Sequence, residues 1–71
     1  QLAEAQRARA IITGLFSAYR DGPEKMGGVW SNADAMAEPL RSRHIADYIA
    51  GMTDRFAERQ YEAIYGALPK I

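Results

Sequence analysis

The chain of 71 residues contains no cysteine, which excludes disulfide staples, thiolate zinc sites and thiol nucleophiles. It has a single histidine, His44, and its nine basic residues are balanced by nine acidic ones. A zero net charge removes any general electrostatic attraction to nucleic acid or to an anionic membrane. Acids also interleave with Arg41, Arg43, Arg55 and Arg59, so these arginines form no basic stripe and a nucleic-acid partner is not expected. No apolar run approaches the ~20 residues that cross a bilayer, and nothing resembles a signal peptide. A cytoplasmic setting without membrane contact is the expectation.

The chain opens at Gln1 inside an Ala, Glu and Arg pattern that reads as helix interior. We therefore expect residues 1–71 to be a single helical segment of a longer protein. A domain of this length buries only ~60% of its unfolded surface, so help from a partner is expected.

Ala8, Ile11, Ile12, Leu15, Phe16 and Tyr19 recur at steps of three and four, predicting an amphipathic helix over 2–20. Gly14 lies in its interior, where glycine costs ~1 kcal/mol relative to alanine unless a neighbour needs the space. Asp21-Gly22-Pro23 supplies the stop, with Gly22 expected in the left-handed cap and Pro23 barring continuation. Residues 21–31 read as a glycine-containing connector. Gly27-Gly28 matches neither a P-loop nor a dinucleotide fingerprint. Val29 and Trp30 are expected to close the apolar surface between the long helices. Ser31-Asn32-Ala33-Asp34 has the form of a capping box and predicts a helix start near residue 32, with a short turn over 33–37. Pro39 then opens a second long helix over 39–65, halted by Gly66 and Pro69. The expected fold is all-α, with two long antiparallel helices joined by the connector and the short helical turn.

Within the second helix the run from Asp47 to Ala57 carries both an apolar stripe and charges beyond the needs of a core helix. At helical spacing Ile45, Ile49, Met52 and Phe56 share one side with Tyr48 at its margin, and Asp47, Gly51, Asp54 and Glu58 gather roughly opposite. Gly51 would allow close approach of another backbone. His44 with Asp47, or Asp47 with Asp54 two turns on, would offer a metal too few ligands for a closed site. No metal site and no catalytic residue is assigned to this chain.

Together with Arg43 and Glu58-Arg59-Gln60-Tyr61, the run Asp47-Tyr48-Ile49-Ala50-Gly51-Met52-Thr53-Asp54-Arg55-Phe56-Ala57 resembles the C-terminal helix of bacterial deoxynucleoside triphosphate triphosphohydrolases, the dGTPase-like branch of the HD-domain phosphohydrolases. The stretch from Arg7 to Tyr19 resembles the family's preceding helix, so the likeness covers nearly the whole chain. The metal-binding His and His-Asp pairs that name the HD family are absent. The resemblance implies a C-terminal fragment of a larger helical enzyme that hydrolyses a dNTP to a deoxynucleoside and triphosphate. A divalent metal, Mg or Mn, would be held by the remainder of the parent chain, and a homo-oligomer is implied. This segment would contribute packing, a pocket wall or an oligomer contact, and would be inactive alone. Asp47, Tyr48, Asp54 and Arg55 are the substrate-adjacent or subunit-contact candidates: Tyr48 to stack or donate a hydrogen bond, Asp47 or Asp54 to accept from a sugar hydroxyl or base N–H, Arg55 to face phosphate. The alternative is a free-standing helical interaction module that uses Ile45, Ile49, Met52 and Phe56 with Leu15 and Phe16 as its partner surface.

Overall fold

The computed structural model describes residues 2–70, with the side chains of Leu2, Ala33 and Asp34 outside the described set. Three α-helices follow in order, α1 (Leu2–Asp21), α2 (Leu40–Ala50) and α3 (Asp54–Tyr65), and two 3-10 helices, Pro23–Met26 and Gly28–Ala35, lie between α1 and α2. The fold is all-helical, as the periodicity predicts.

Helix α1 is the element on which the others rest. Its buried residues Ile11, Leu15, Ala18 and Tyr19 follow the three- and four-residue spacing of one helix face. Ile11, Leu15 and Tyr19 meet Ile45 and Ile49 of α2 and Met26 of the first 3-10 helix, and Phe16, Tyr48, Met52, Ala57, Tyr61, Ile64 and Leu68 pack around that core. The predicted stripe is only partly inside. Ile12 is 52% exposed and Ala8 is also exposed, because the stripe is wider than the arc that α2 and α3 cover.

The stop after α1 falls where expected but by a different geometry. Gly22 has φ −142° and ψ 80°, not the left-handed conformation, since the ring of Pro23 restricts the residue before it to extended backbone. The Gly22 N–H still donates to Ala18 O at 2.9 Å, and Pro23 opens the first 3-10 helix at a position that needs no N–H. Left-handed glycines occur instead at Gly27, Gly28 and Gly66.

The helix start expected near residue 32 is not found there. The hydroxyl of Ser31 donates back to Gly28 O at 2.9 Å, inside a 3-10 helix that begins at Gly28 rather than near residue 32, so the short turn expected at 33–37 comes earlier. The side chain of Asp34, the other half of the expected capping box, lies outside the described residues. Val29 is 84% exposed and does not close the interhelical surface.

The second long helix expected over 39–65 is divided. Helix α2 ends at Ala50, Gly51 adopts φ −83° and ψ −3°, and Thr53 turns extended at φ −75° and ψ 161°. Thr53 Oγ1 then accepts from Phe56 N at 3.1 Å, the side-chain cap that starts a new helix. Asp54 stands in the first turn of α3, where a carboxylate favours the positive helix end. The stop at Gly66 is as read, with φ 87° and its N–H on Glu62 O at 2.7 Å.

Two contacts hold the helices across α1. The Arg41 guanidinium donates to Arg20 O, seating the start of α2 on the last turn of α1. At Gly14, α3 crosses over. A Cβ there would stand 2.5 Å from the Tyr61 ring and 3.3 Å from that of Tyr65, and Tyr65 Oη donates to Gly14 O at 2.8 Å. The interior glycine is thus the seat of two tyrosines whose ring centroids lie 4.5 Å apart.

Candidate functional site

The break at Gly51–Thr53 decides where the candidate residues go. Asp47 and Tyr48 lie on the last turns of α2 and, with Gly51, Met52, Thr53, Phe56 and Trp30, line an open groove of about 380 Å³. Asp54, one helix later, lines a separate groove of about 670 Å³ against α1, and Arg55 lines neither. The expected sharing of one face by Asp47 and Asp54 is therefore not found, because it required an unbroken helix. Phe56 leaves the Ile45 and Ile49 face for the same reason and is 42% exposed. In α3 the inward positions are Ala57, Tyr61 and Ile64.

Trp30 does not close the surface between the long helices as its place in the connector predicts. It stacks instead on one side of α2, with ring centroids 4.9 Å from His44 and 5.3 Å from Tyr48. Tyr48 meets Tyr19 edge-on at 5.3 Å, so an aromatic chain runs from the core to the rim of the smaller groove. His44 Nε2 lies 2.9 Å from Trp30 O. A carbonyl can only accept, so this nitrogen carries the proton and donates. That bond holds the second 3-10 helix against α2.

The candidate polar groups are exposed rather than buried, whichever groove they border. Asp47, Asp54 and Arg55 are all exposed, and Tyr48 is half-buried. Among the described residues no ion pair joins Asp47, Asp54 or Arg55 to a partner; the pair found is Lys25 with Glu24 at 3.6 Å. Among the described residues no ion pair joins Asp54, Arg55, Glu58 and Arg59 to one another. Gly51 is not crowded either. A Cβ there would make only ordinary contacts, at 3.7 Å to Tyr48 O and 3.8 Å to Asp47 O.

Among the described residues two groups have perturbed acidity. Burial, with a smaller contribution from the neighbouring Tyr48, pushes the Tyr19 phenol up to about 12, and its buried hydroxyl has no hydrogen-bond partner among the described residues. Hydrogen bonds from the Ser42 side chain and backbone hold the Glu38 carboxyl below its ordinary value, the backbone one at 3.0 Å. Neither group lies in a groove.

For a metal the chain offers little. Among the described residues no three His, Asp or Glu side chains converge closely enough to hold an ion, and the one imidazole has its Nε2 committed to Trp30. These residues do not fit a divalent-metal site. No helix of the described residues is long and apolar enough to cross a membrane.

Sequence reasoning missed two features of this region. One is the part played by Thr53, which the order Gly51, Thr53, Asp54 does signal as stop, cap and first-turn acid. The other is the approach of Trp30 to His44 and Tyr48, for which no local signal exists.

Several known proteins are similar to this chain in sequence. A protein of Rhizobium meliloti (strain 1021) called deoxyguanosinetriphosphate triphosphohydrolase-like is 41% identical over 68 residues, covering 93% of this chain and 17% of that protein. Proteins of the same description from Paracoccus denitrificans (strain Pd 1222) and Nitrobacter hamburgensis are 40% and 36% identical, covering 89% and 90% of this chain. The chain spans about 17% of the length of these curated relatives. No solved structure matches it. The family model described as phosphohydrolase-associated domain matches residues 1–63, and the chain belongs to that family.

Proposed function

We propose that this chain is the C-terminal helical part of a cytoplasmic, metal-dependent dNTP triphosphohydrolase, which converts a dNTP and water to a deoxynucleoside and triphosphate. The supporting observation is the joint one of family and extent. The chain matches a phosphohydrolase-associated domain and aligns with triphosphohydrolase-like relatives of which it spans about 17%. In this reading the Mg or Mn ion and its ligands belong to the remainder of the polypeptide and the segment alone is inactive; supporting it, no three His, Asp or Glu side chains converge among the described residues. Its contribution is packing, a wall of the nucleotide pocket or a contact between subunits of a homo-oligomer. The groove at Asp47 and Tyr48 is the part suited to such contact, since it exposes a carboxylate beside the rings of Trp30, Tyr48 and Phe56. Arg55, exposed on the first turn of α3, is a further candidate for phosphate or for a neighbouring subunit.

Triphosphate release from each dNTP with Mg or Mn tests this reading, comparing the intact protein, the protein truncated before Gln1, and residues 1–71 alone. Activity confined to the intact protein is expected. An intact protein that releases no triphosphate from any dNTP would put the second reading first, a helical interaction module without catalysis. The surface expected for that module is mostly lost to the core, where Ile45, Ile49 and Leu15 are buried and Met52 and Phe16 pack against them; the observation left in its favour is the half-exposed Phe56, with Ile12, beside the two grooves.

A further inference from the structure

We propose that the larger groove, between α1 and the joint of α2 with α3, is the seat of an amphipathic helix with a basic flank, supplied by the same polypeptide outside these 71 residues. The proposal rests on the reading of the chain as part of a longer protein, and adds to it the surface and the chemistry of its partner.

The apolar residues of α1 divide into two sets. Ile11, Leu15 and Tyr19 are buried by α2 and α3, whereas Ile12 remains half-exposed and faces the groove. Removing its side chain from water is the main gain open to an occupant. The walls suit a helix. Ala8 on one side and Ala46, Ala50 and Ala57 on the other line the groove, and such short side chains let a helix axis approach within the usual packing distance of roughly 8–10 Å. The groove holds about 670 Å³.

The rim specifies charge. Glu4, Asp54 and Glu58 stand on it against Arg7 alone, three carboxylates to one guanidinium. Lys or Arg along the flank of the occupant would complement it, and an acidic flank would be repelled. Glu4 and Asp54 stand in first turns of their helices, where an acid already favours its own helix end. Glu58 lies one turn further on, so it reports on the occupant more cleanly. The source follows from extent. The relatives carry most of their length outside the matched part, and a tethered helix meets the groove at an effective concentration that reaches about millimolar for short flexible linkers. A free partner would have to be supplied at such a level.

The test uses the intact protein with the photo-crosslinking residue benzoylphenylalanine at position 12 and, separately, at position 46 on the opposite wall. Peptide mapping by mass spectrometry should place crosslinks within the same polypeptide, on a helical segment outside residues 1–71 that flanks an apolar stripe with Lys or Arg. Glu58→Lys should lower the crosslink yield several-fold and raise amide exchange of residues 8–12 several-fold. Crosslinks that join two copies would overturn the proposal in favour of a subunit interface. Crosslinks confined to residues 1–71 at both positions, a captured segment with an acidic flank, or yields unmoved by Glu58→Lys would overturn it as well. The readout needs no nucleotide. A protein that crosslinks as described but releases no triphosphate would sink the enzymatic reading alone, and an active protein without the crosslink would sink this one alone.

Discussion

At the scale of single residues, Gly14 and Tyr19 show packing overriding local preference. Alanine at position 14 would gain the ~1 kcal/mol of helix propensity that glycine forgoes, yet its Cβ would stand 2.5 Å from the Tyr61 ring. Overpacking of this kind costs roughly 1–3 kcal/mol, so Gly14→Ala should lower the urea midpoint and Gly14→Ala with Tyr61→Leu should recover part of the loss. Tyr19 carries a buried hydroxyl with no partner among the described residues, and an unsatisfied buried polar group costs roughly 1–3 kcal/mol. Tyr19→Phe is therefore expected to raise stability by about 1 kcal/mol. The phenol is pushed up to about 12 by burial, above its ordinary value near 10. The folded state holds the proton more tightly, so this contribution to stability is complete below pH ~10 and is lost as the pH rises through about 12. Denaturation midpoints measured across that window should fall more steeply for the native chain than for Tyr19→Phe. The roles of these two residues were half legible: an interior glycine signals a close neighbour, but no sequence names the ring that lands on it.

At the scale of elements, the central event is the division of α2 from α3. Ile45, Ile49, Met52 and Phe56 keep helical spacing across the break, which is why periodicity alone reads one helix over 39–65. The stripe that packs against the core beyond the break is the partly buried set Ala57, Tyr61 and Ile64, offset from the continuation through Phe56. Thr53→Ala should remove the cap on Phe56 N and cost about 1 kcal/mol, with the exchange of amides 54–57 rising before the rest of the chain. An unbroken helix would instead be insensitive to this change or stabilised by it, since alanine is the better helix former. At the start of α2 the Glu38 carboxylate accepts from Ser42, and the hydrogen bonds hold its pKa down. Its contribution is present above the ordinary glutamate value and is lost as the pH falls through the lowered one. Ser42→Ala should move the Glu38 carbon-13 titration toward the ordinary value. Helix stops were the most legible features, because Pro23 and Gly66 act through their own backbone. The helix start read near residue 32 lies earlier, in a 3-10 helix from Gly28 in which the Ser31 hydroxyl donates to Gly28 O.

At the scale of the whole molecule, the helices form a body of 38 × 22 × 19 Å with a groove on either side of the α2–α3 joint. Its radius of gyration of 12.2 Å exceeds the roughly 11 Å of an ideal domain of this length. Small domains are marginal for want of buried surface, so the isolated segment should unfold at lower temperature than the same segment within the intact protein, as read by amide exchange at Leu15 and Ile45. Ile12→Asp should leave the isolated segment within about 0.5 kcal/mol of its native stability, as exposed substitutions do, while exposing residues 8–12 to exchange in the intact protein. Of the candidate site, the stretch from Asp47 to Ala57 was legible as unusual in composition, and the comparisons show its family. Its division into two surfaces was not legible, because Asp47 and Asp54 share a face only if Gly51–Thr53 stays helical. The sequence by itself determined the all-helical class, the apolar face of α1 and the C-terminal stops of the first and last helices, since backbone restriction and side-chain period act within a few residues. Only the tertiary structure decided which half of the α1 stripe is buried, where Trp30 stacks and which groove each acid faces. Those outcomes depend on how distant helices divide one limited core, and a side chain becomes inside or outside only when another element arrives to cover it.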